Sequence, residues 1–176
     1  MKQMKFSELI QNLRHGMNDD VIAFVIAVSR FDFAFKKAGG FFTRPYGTTP
    51  DVDWQHHVPN AFAGFETKCE DLRSTEFFLR PPREFKRVDG VAEFTQQPAA
   101  LSDTKSIFWA IWTLRKNLMH GTKGKLFSRD HILVRDANVV LERAFQFCQD
   151  SDDLHLLSVA EIMQKVESEV LEDEGE

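Results

Sequence analysis

An all-α bundle of five to six helices is the fold class this sequence predicts, and three observations predict it. Apolar residues recur at intervals of three and four through most of the chain. Glycines, prolines and short polar clusters cut that pattern into lengths typical of bundle helices. The aromatic content is 17 Phe against 3 Trp and a single Tyr, which is packing material rather than the lining of a polar carbohydrate groove. With 176 residues, 43% hydrophobic and 28% charged, the chain suits one domain with a real core. That domain is expected over residues 1–166, followed by an acidic tail over 167–176 that is expected to be disordered.

Phe6, Leu9, Ile10 and Leu13 keep the spacing of one short helix, which His15-Gly16 stops. Asn18 and Asp19 then cap a longer helix whose stripe is Val21, Phe24, Val25, Val28, Phe31 and Phe35, ending at Ala38-Gly39-Gly40. On it Asp32 and Lys36 stand one turn apart and are expected to pair. Phe41 to Asp53 shows no sustained period and reads as loop. A third helix puts Val58, Ala61, Phe62, Phe65, Cys69 and Leu72 on one face, with Pro59 in its first turn.

From Ser74 to Ala100 the helical pattern fails. There Glu84 to Val88 and Val91 to Phe94 flank Asp89-Gly90, the turn pair of a tight hairpin, so a small two-stranded ribbon is expected before the next helix. Ser102 and Asp103 cap that helix, which runs to about Met119 with Ile107, Ile111, Leu114 and Leu118 inward. A second ridge of Phe108, Trp112, Arg115 and Met119 lies about 100° round the cylinder. A helix apolar on two sides needs two packing partners, and the ridge through Phe108 and Trp112 predicts a homodimer. A fifth helix spans roughly Asp130 to Gln149 with Leu133, Ala137, Val140, Leu141, Ala144 and Cys148 inward, broken by Asp150, Asp152 and Asp153. The last opens on a capping box of Ser158 and Glu161 and buries Val159, Ile162, Met163, Val166 and Val170.

Composition removes several function classes. Cys69 and Cys148 are far apart with no C-x-x-C partner, against a disulfide scaffold or a cysteine zinc site, and a cytoplasmic location is expected. No apolar run nears the roughly 18 residues of a membrane helix, the longest being Val21 to Ser29, and no signal core opens the chain. His56 and His57 are adjacent without an HxxxH or HxxE partner, so no metal site is expected there. The net charge of −5 hides a contrast: Glu167, Glu169, Glu172, Asp173, Glu174 and Glu176 fall in the last ten residues, and the rest of the chain is +1. Between Lys105 and Arg135 seven basic side chains meet one acid, Asp130. A polyanion responds to that segment rather than to the average.

Within it, Leu114 to Lys125 brings an arginine, an amide and a histidine together at a helix end, followed by glycines and lysines. That set suits RNA cleavage without a metal or cofactor. His120, titrating near neutrality, takes the ribose 2′-hydroxyl proton or gives one to the leaving 5′-oxygen. Arg115 holds the scissile phosphate through two parallel hydrogen bonds and stabilises transition-state charge. Lys123 and Lys125 reach flanking phosphates. Positions five apart on a helix point about 140° from each other. Arg115 and His120 therefore converge only if the helix unwinds near Met119, or if each meets its counterpart from a second chain. The plainer account is a cation and a capping histidine against the helix dipole. Gly121 to Lys125 lacks the spacing and the Ser or Thr of a phosphate loop, and the KH-like Gly121 to Gly124 spacing lacks the necessary strands.

Arg115 to His120 resembles the R-x(4-6)-H signature of the HEPN domains (higher eukaryotes and prokaryotes nucleotide-binding), and Gly121-Thr122-Lys123 resembles the H-G-x-K ending of one bacterial branch. Asp32, Lys36, Gly39-Gly40, Asp53-Trp54, Pro81-Pro82 and Asp89-Gly90 agree with it as landmarks, so the resemblance covers roughly residues 20–148. It implies an up-and-down helical bundle, commonly dimeric. Many such proteins are metal-independent endoribonucleases in toxin, phage-defence or RNA-processing systems. By the resemblance, Arg115 and His120 are the catalytic pair. The position after the arginine is usually Asn, Asp or His, whereas here it is Lys116 with the amide displaced to Asn117. Lys116 and Asn117 are thus candidates for the supporting role. The alternative is a non-catalytic HEPN-fold module that binds RNA or nucleotide, or docks a nucleotidyltransferase or antitoxin.

Overall fold

The computed structural model of the chain describes residues 19–42, 51–88, 91–119 and 126–165. The helix expected at Phe6 to Leu13, the Asp89-Gly90 turn, the stretch His120 to Lys125 and the acidic tail lie outside the described residues.

The first helix, α1, spans Asp19–Ala38 and buries Val21, Phe24, Val28, Phe31, Ala34 and Phe35. This is the expected stripe with Ala34 added and Val25 half-buried. Gly39 and Gly40 end it at φ +76° and +81°, left-handed values that glycine adopts without a Cβ clash. The Gly39 N–H closes on the Phe35 carbonyl at 3.2 Å. Lys36 pairs with Asp32 as expected, Nζ to Oδ2 at 2.6 Å.

The expected third helix is present in two pieces. A short α2, His57–Ala61, is followed by a 3₁₀ helix, Phe65–Leu72, with Gly64 between them at φ +84°. The inward set survives the break, since Val58, Phe62, Phe65 and Cys69 are all fully buried. The left-handed glycine redirects the chain, so Phe62 and Phe65 meet edge to face at 5.9 Å. Another short helix, α3 (Glu76–Leu79), lies in the stretch where helical periodicity fails. Four residues are too few to establish a period, and its place is set by tertiary bonds: the Asp136 carboxylate accepts the Phe77 N–H at 3.3 Å.

β1 (Phe85–Val88) and β2 (Val91–Phe94) form the expected antiparallel ribbon, with Phe85 opposite Phe94. α4 covers Thr104–Met119. Asp103 Oδ1 accepts the Ser106 N–H at 2.7 Å and Ser106 Oγ accepts the Asp103 N–H at 3.2 Å, a reciprocal cap. α5, Ser128–Gln149, buries every residue expected to face inward. α6 covers Leu154–Gln164 and starts before the expected Ser158, because the Asp153 carboxylate accepts the N–H of His155 and Leu156 at 2.8 and 3.1 Å.

The chain is therefore mostly helical with one small ribbon. α1 lies against α5 and α6, and α5 against α6. Arg30 crosses from α1 to the end of α6, donating to the carbonyls of Met163 and Lys165 at 3.3 and 2.9 Å. A phenylalanine network joins these helices to α4: Phe35 touches Phe41, Trp54 and Phe62, and Phe62 touches Phe108 and Phe147. Each such ring contributes about 1.5–3 kcal/mol on burial. The network also covers part of the second ridge of α4. Phe108 is 1% exposed and one face of Trp112 is stacked on Trp54, while Trp112 and Arg115 stay half-buried and Met119 is exposed, so the ridge is buried at Phe108 and open toward Met119. Among the described residues no helix is long and apolar enough to cross a membrane.

Candidate functional site

The C-terminal turn of α4 carries Arg115, Lys116 and Asn117, and helical geometry sends the three in different directions. Arg115 is half-buried. Its guanidinium carbon lies 4.5 Å from the centre of the Trp112 ring. Trp112 in turn stacks on Trp54, with centroids 5.4 Å apart and planes within 11°. The Trp54 indole N–H donates to Asp32 Oδ1 at 3.3 Å. A column thus runs from Asp32 through two indoles to Arg115, and it orients the arginine by stacking.

The acid of that column is already engaged by Lys36 and Trp54. Among the described residues no carboxylate pairs with Arg115, and its buried Nε finds no hydrogen-bond partner. A guanidinium partly withdrawn from water without a counter-charge is suited to hold an anion. Asp32, Lys36 and Asp53-Trp54 were legible as landmarks. Their convergence on Arg115 was not, since it depends on how α1 and the 51–56 segment meet α4.

Lys116 turns the other way. Its Nζ lies 4.6 Å from the centre of the Trp109 ring. Burial holds its ammonium below the usual lysine pKa, with Glu84 pulling it up and Lys86 pushing it down. Trp109 lines a groove of about 630 Å³ between the ribbon and α4, whose walls include Pro82, Pro98, Glu84 and Lys86. Sequence reasoning missed Trp109; its i, i+7 spacing to Lys116 was the available signal. Asn117 is buried and donates Nδ2–H to the Arg83 carbonyl at 2.8 Å, beside a second cavity of about 110 Å³. It ties the strap before β1 to α4. His120, Lys123 and Lys125 lie outside the described residues, so Arg115 and Lys116 are the described cations of the motif.

His56 and His57 share one partner. Asp53 lies on the loop ahead of α2, and its two oxygens take His57 Nδ1 at 2.9 Å and His56 Nδ1 at 3.3 Å. The same carboxylate accepts the N–H of Gln55 and His56 at 3.0 and 2.9 Å. Burial raises the Asp53 pKa, but these bonds outweigh it and leave the carboxyl below its ordinary value. The cluster ties down the segment that carries Trp54. Compared with family models, with curated proteins and with solved structures, the chain matches none of them.

Proposed function

We propose that the protein is a HEPN-type endoribonuclease that cuts RNA at the C-terminal end of α4. What carries this reading is the half-buried guanidinium of Arg115, stacked on Trp112 with no carboxylate partner among the described residues. In this reaction Arg115 binds the scissile phosphate and offsets its transition-state charge. His120 moves the proton at the 2′- or 5′-oxygen. Lys116, Lys123 and Lys125 attract flanking phosphates. Attack by the 2′-hydroxyl leaves a 2′,3′-cyclic phosphate, with no metal required. A cleft between two copies that meet at the exposed Met119 end of α4 would bring arginine and histidine together. The two buried free thiols, Cys69 and Cys148, are in keeping with a cytoplasmic protein, and a toxin or phage-defence role fits that setting.

A second reading, a non-catalytic RNA- or nucleotide-binding module or a partner of a nucleotidyltransferase or antitoxin, is favoured by one observation. Asn117 is bonded to the Arg83 carbonyl and Lys116 is packed on Trp109, so neither neighbour is poised to support proton transfer. Incubating bulk RNA with the protein in chelator separates the two. The nuclease cleaves, leaves cyclic phosphate ends, and loses activity by at least about 10²-fold in both His120→Ala and Arg115→Ala. Folded wild-type protein that binds RNA without cutting it supports the module instead.

A further inference from the structure

We propose that the groove between the ribbon and α4 binds an unpaired purine of single-stranded RNA, the base beside the phosphate held by Arg115. The choice of RNA rests on the function proposed above; the groove and its polar groups are independent of it. Its volume of about 630 Å³ falls within the 300–1,000 Å³ typical of ligand sites.

Two features point to a ligand. Thr113 belongs to the lining and is 1% exposed, yet its hydroxyl has no hydrogen-bond partner among the described residues. A helical threonine ordinarily bonds a carbonyl one turn back, and a buried hydroxyl left unpaired opposes folding. Threonine has two accessible helical rotamers, so a turn about Cα–Cβ lets this hydroxyl meet a group that enters above it. The other feature is the Lys116 ammonium over Trp109, consecutive in sequence with Arg115. A strand whose phosphate meets the guanidinium passes Lys116 next and drops its base against the Trp109 indole. Every base has a stacking face, and a bicyclic purine covers an indole most fully. The carboxamides of Gln55 and Gln96, also in the lining, offer both donor and acceptor to the edge of such a base. Pro82 and Pro98 would equally suit a proline-rich peptide; the Lys116 ammonium over Trp109 and the adjoining Arg115 guanidinium favour an anionic strand.

The test uses the full chain carrying His120→Ala in chelator, so that cleavage does not deplete the probe. Fluorescently labelled oligoadenylate and oligouridylate are titrated by anisotropy. Oligoadenylate is expected to bind about tenfold more tightly than oligouridylate. Thr113→Val, of the same shape, brings that ratio close to one while raising the thermal midpoint, because it removes an unpaired buried hydroxyl. Trp109→Leu weakens oligoadenylate most. Arg115→Ala weakens both probes alike and leaves their ratio unchanged.

RNA binding that depends on Arg115 but shows no base preference, or a preference that neither groove variant alters, overturns the groove proposal and leaves the phosphate site standing. Absence of any RNA binding overturns both. A proline-rich peptide whose binding is abolished by Trp109→Leu, with RNA affinity untouched, overturns it in favour of a peptide groove.

Discussion

The two flanks of α4 carry the same pairing of an indole with a cation but pack against different surroundings. On one flank Arg115 lies on Trp112, which is backed by Trp54 in a near-parallel stack, and Trp54 in turn touches the buried Phe108. On the other, Lys116 lies on Trp109, which is backed by the groove below the ribbon. Arg115 and Lys116 are neighbours in sequence, and the 100° step of the helix separates their environments. The filled flank is built to hold α4 in place and present one oriented charge. The open flank gives up packing and leaves room for a ligand, so stability should respond more to substitution of the filled flank's indoles than to that of Trp109.

The largest expected effect comes from breaking the filled flank. Trp54→Ala removes a residue that is 2% exposed and leaves a cavity beside Trp112 and Phe35. It should lower stability by about 3–5 kcal/mol in denaturant titration. Trp109→Ala, on the open flank, should cost about 1 kcal/mol. Equal losses would mean that the flanks are packed alike.

A smaller effect comes from the thiols buried in the core. Burial pushes Cys69 to about 11 and Cys148 to about 12, from an ordinary value of 9.0. The folded chain keeps protons that the unfolded chain releases, so this stabilisation is complete below about pH 9 and is lost as pH rises through the folded values. By about pH 10.5 each thiol should remove about 1–2 kcal/mol. Unfolding midpoints measured from neutral to alkaline pH should fall in wild type and fall less in the Cys69→Ala/Cys148→Ala protein. Identical slopes would place both thiols in contact with water.

The smallest change sharpens the open flank. Because burial lowers the Lys116 pKa, the folded state carries a cost at neutral pH that is relieved as pH rises toward the ordinary lysine value. Lys116→Met removes that charge and should stabilise slightly, within about 0.5 kcal/mol. A clear loss in the same denaturant assay would show that the ammonium's attraction to Trp109 outweighs its desolvation.

Where an element rests on local periodicity, its residues announce it. The α1 and α5 stripes are legible because a 3.6-residue repeat is carried by the chain itself, and the β1–β2 ribbon because a turn pair in the sequence separates its two strands. Elements held by distant partners are not. α3 depends on Asp136, and the division of the third helix depends on the Phe62–Phe65 contact around Gly64. Of the candidate site, Arg115 was legible as a cation at a helix end, and Asp32 and Trp54 as landmarks. The indole column that connects them was hidden, because stacking of Trp54 on Trp112 joins residues 58 positions apart.

Residue order alone therefore settles a helical chain with a ribbon before α4, the inward faces of its long helices, and a concentration of positive charge around Lys105 to Arg135. Period and composition are local properties, available to any stretch of chain in isolation. Three-dimensional packing settles that one face of Trp112 is stacked on Trp54 and that Arg115 stands without a carboxylate among the described residues. It also settles that a groove opens beneath Trp109. Those outcomes depend on which surfaces from remote segments arrive at α4 and how much space they leave, and no spacing rule along one helix encodes that.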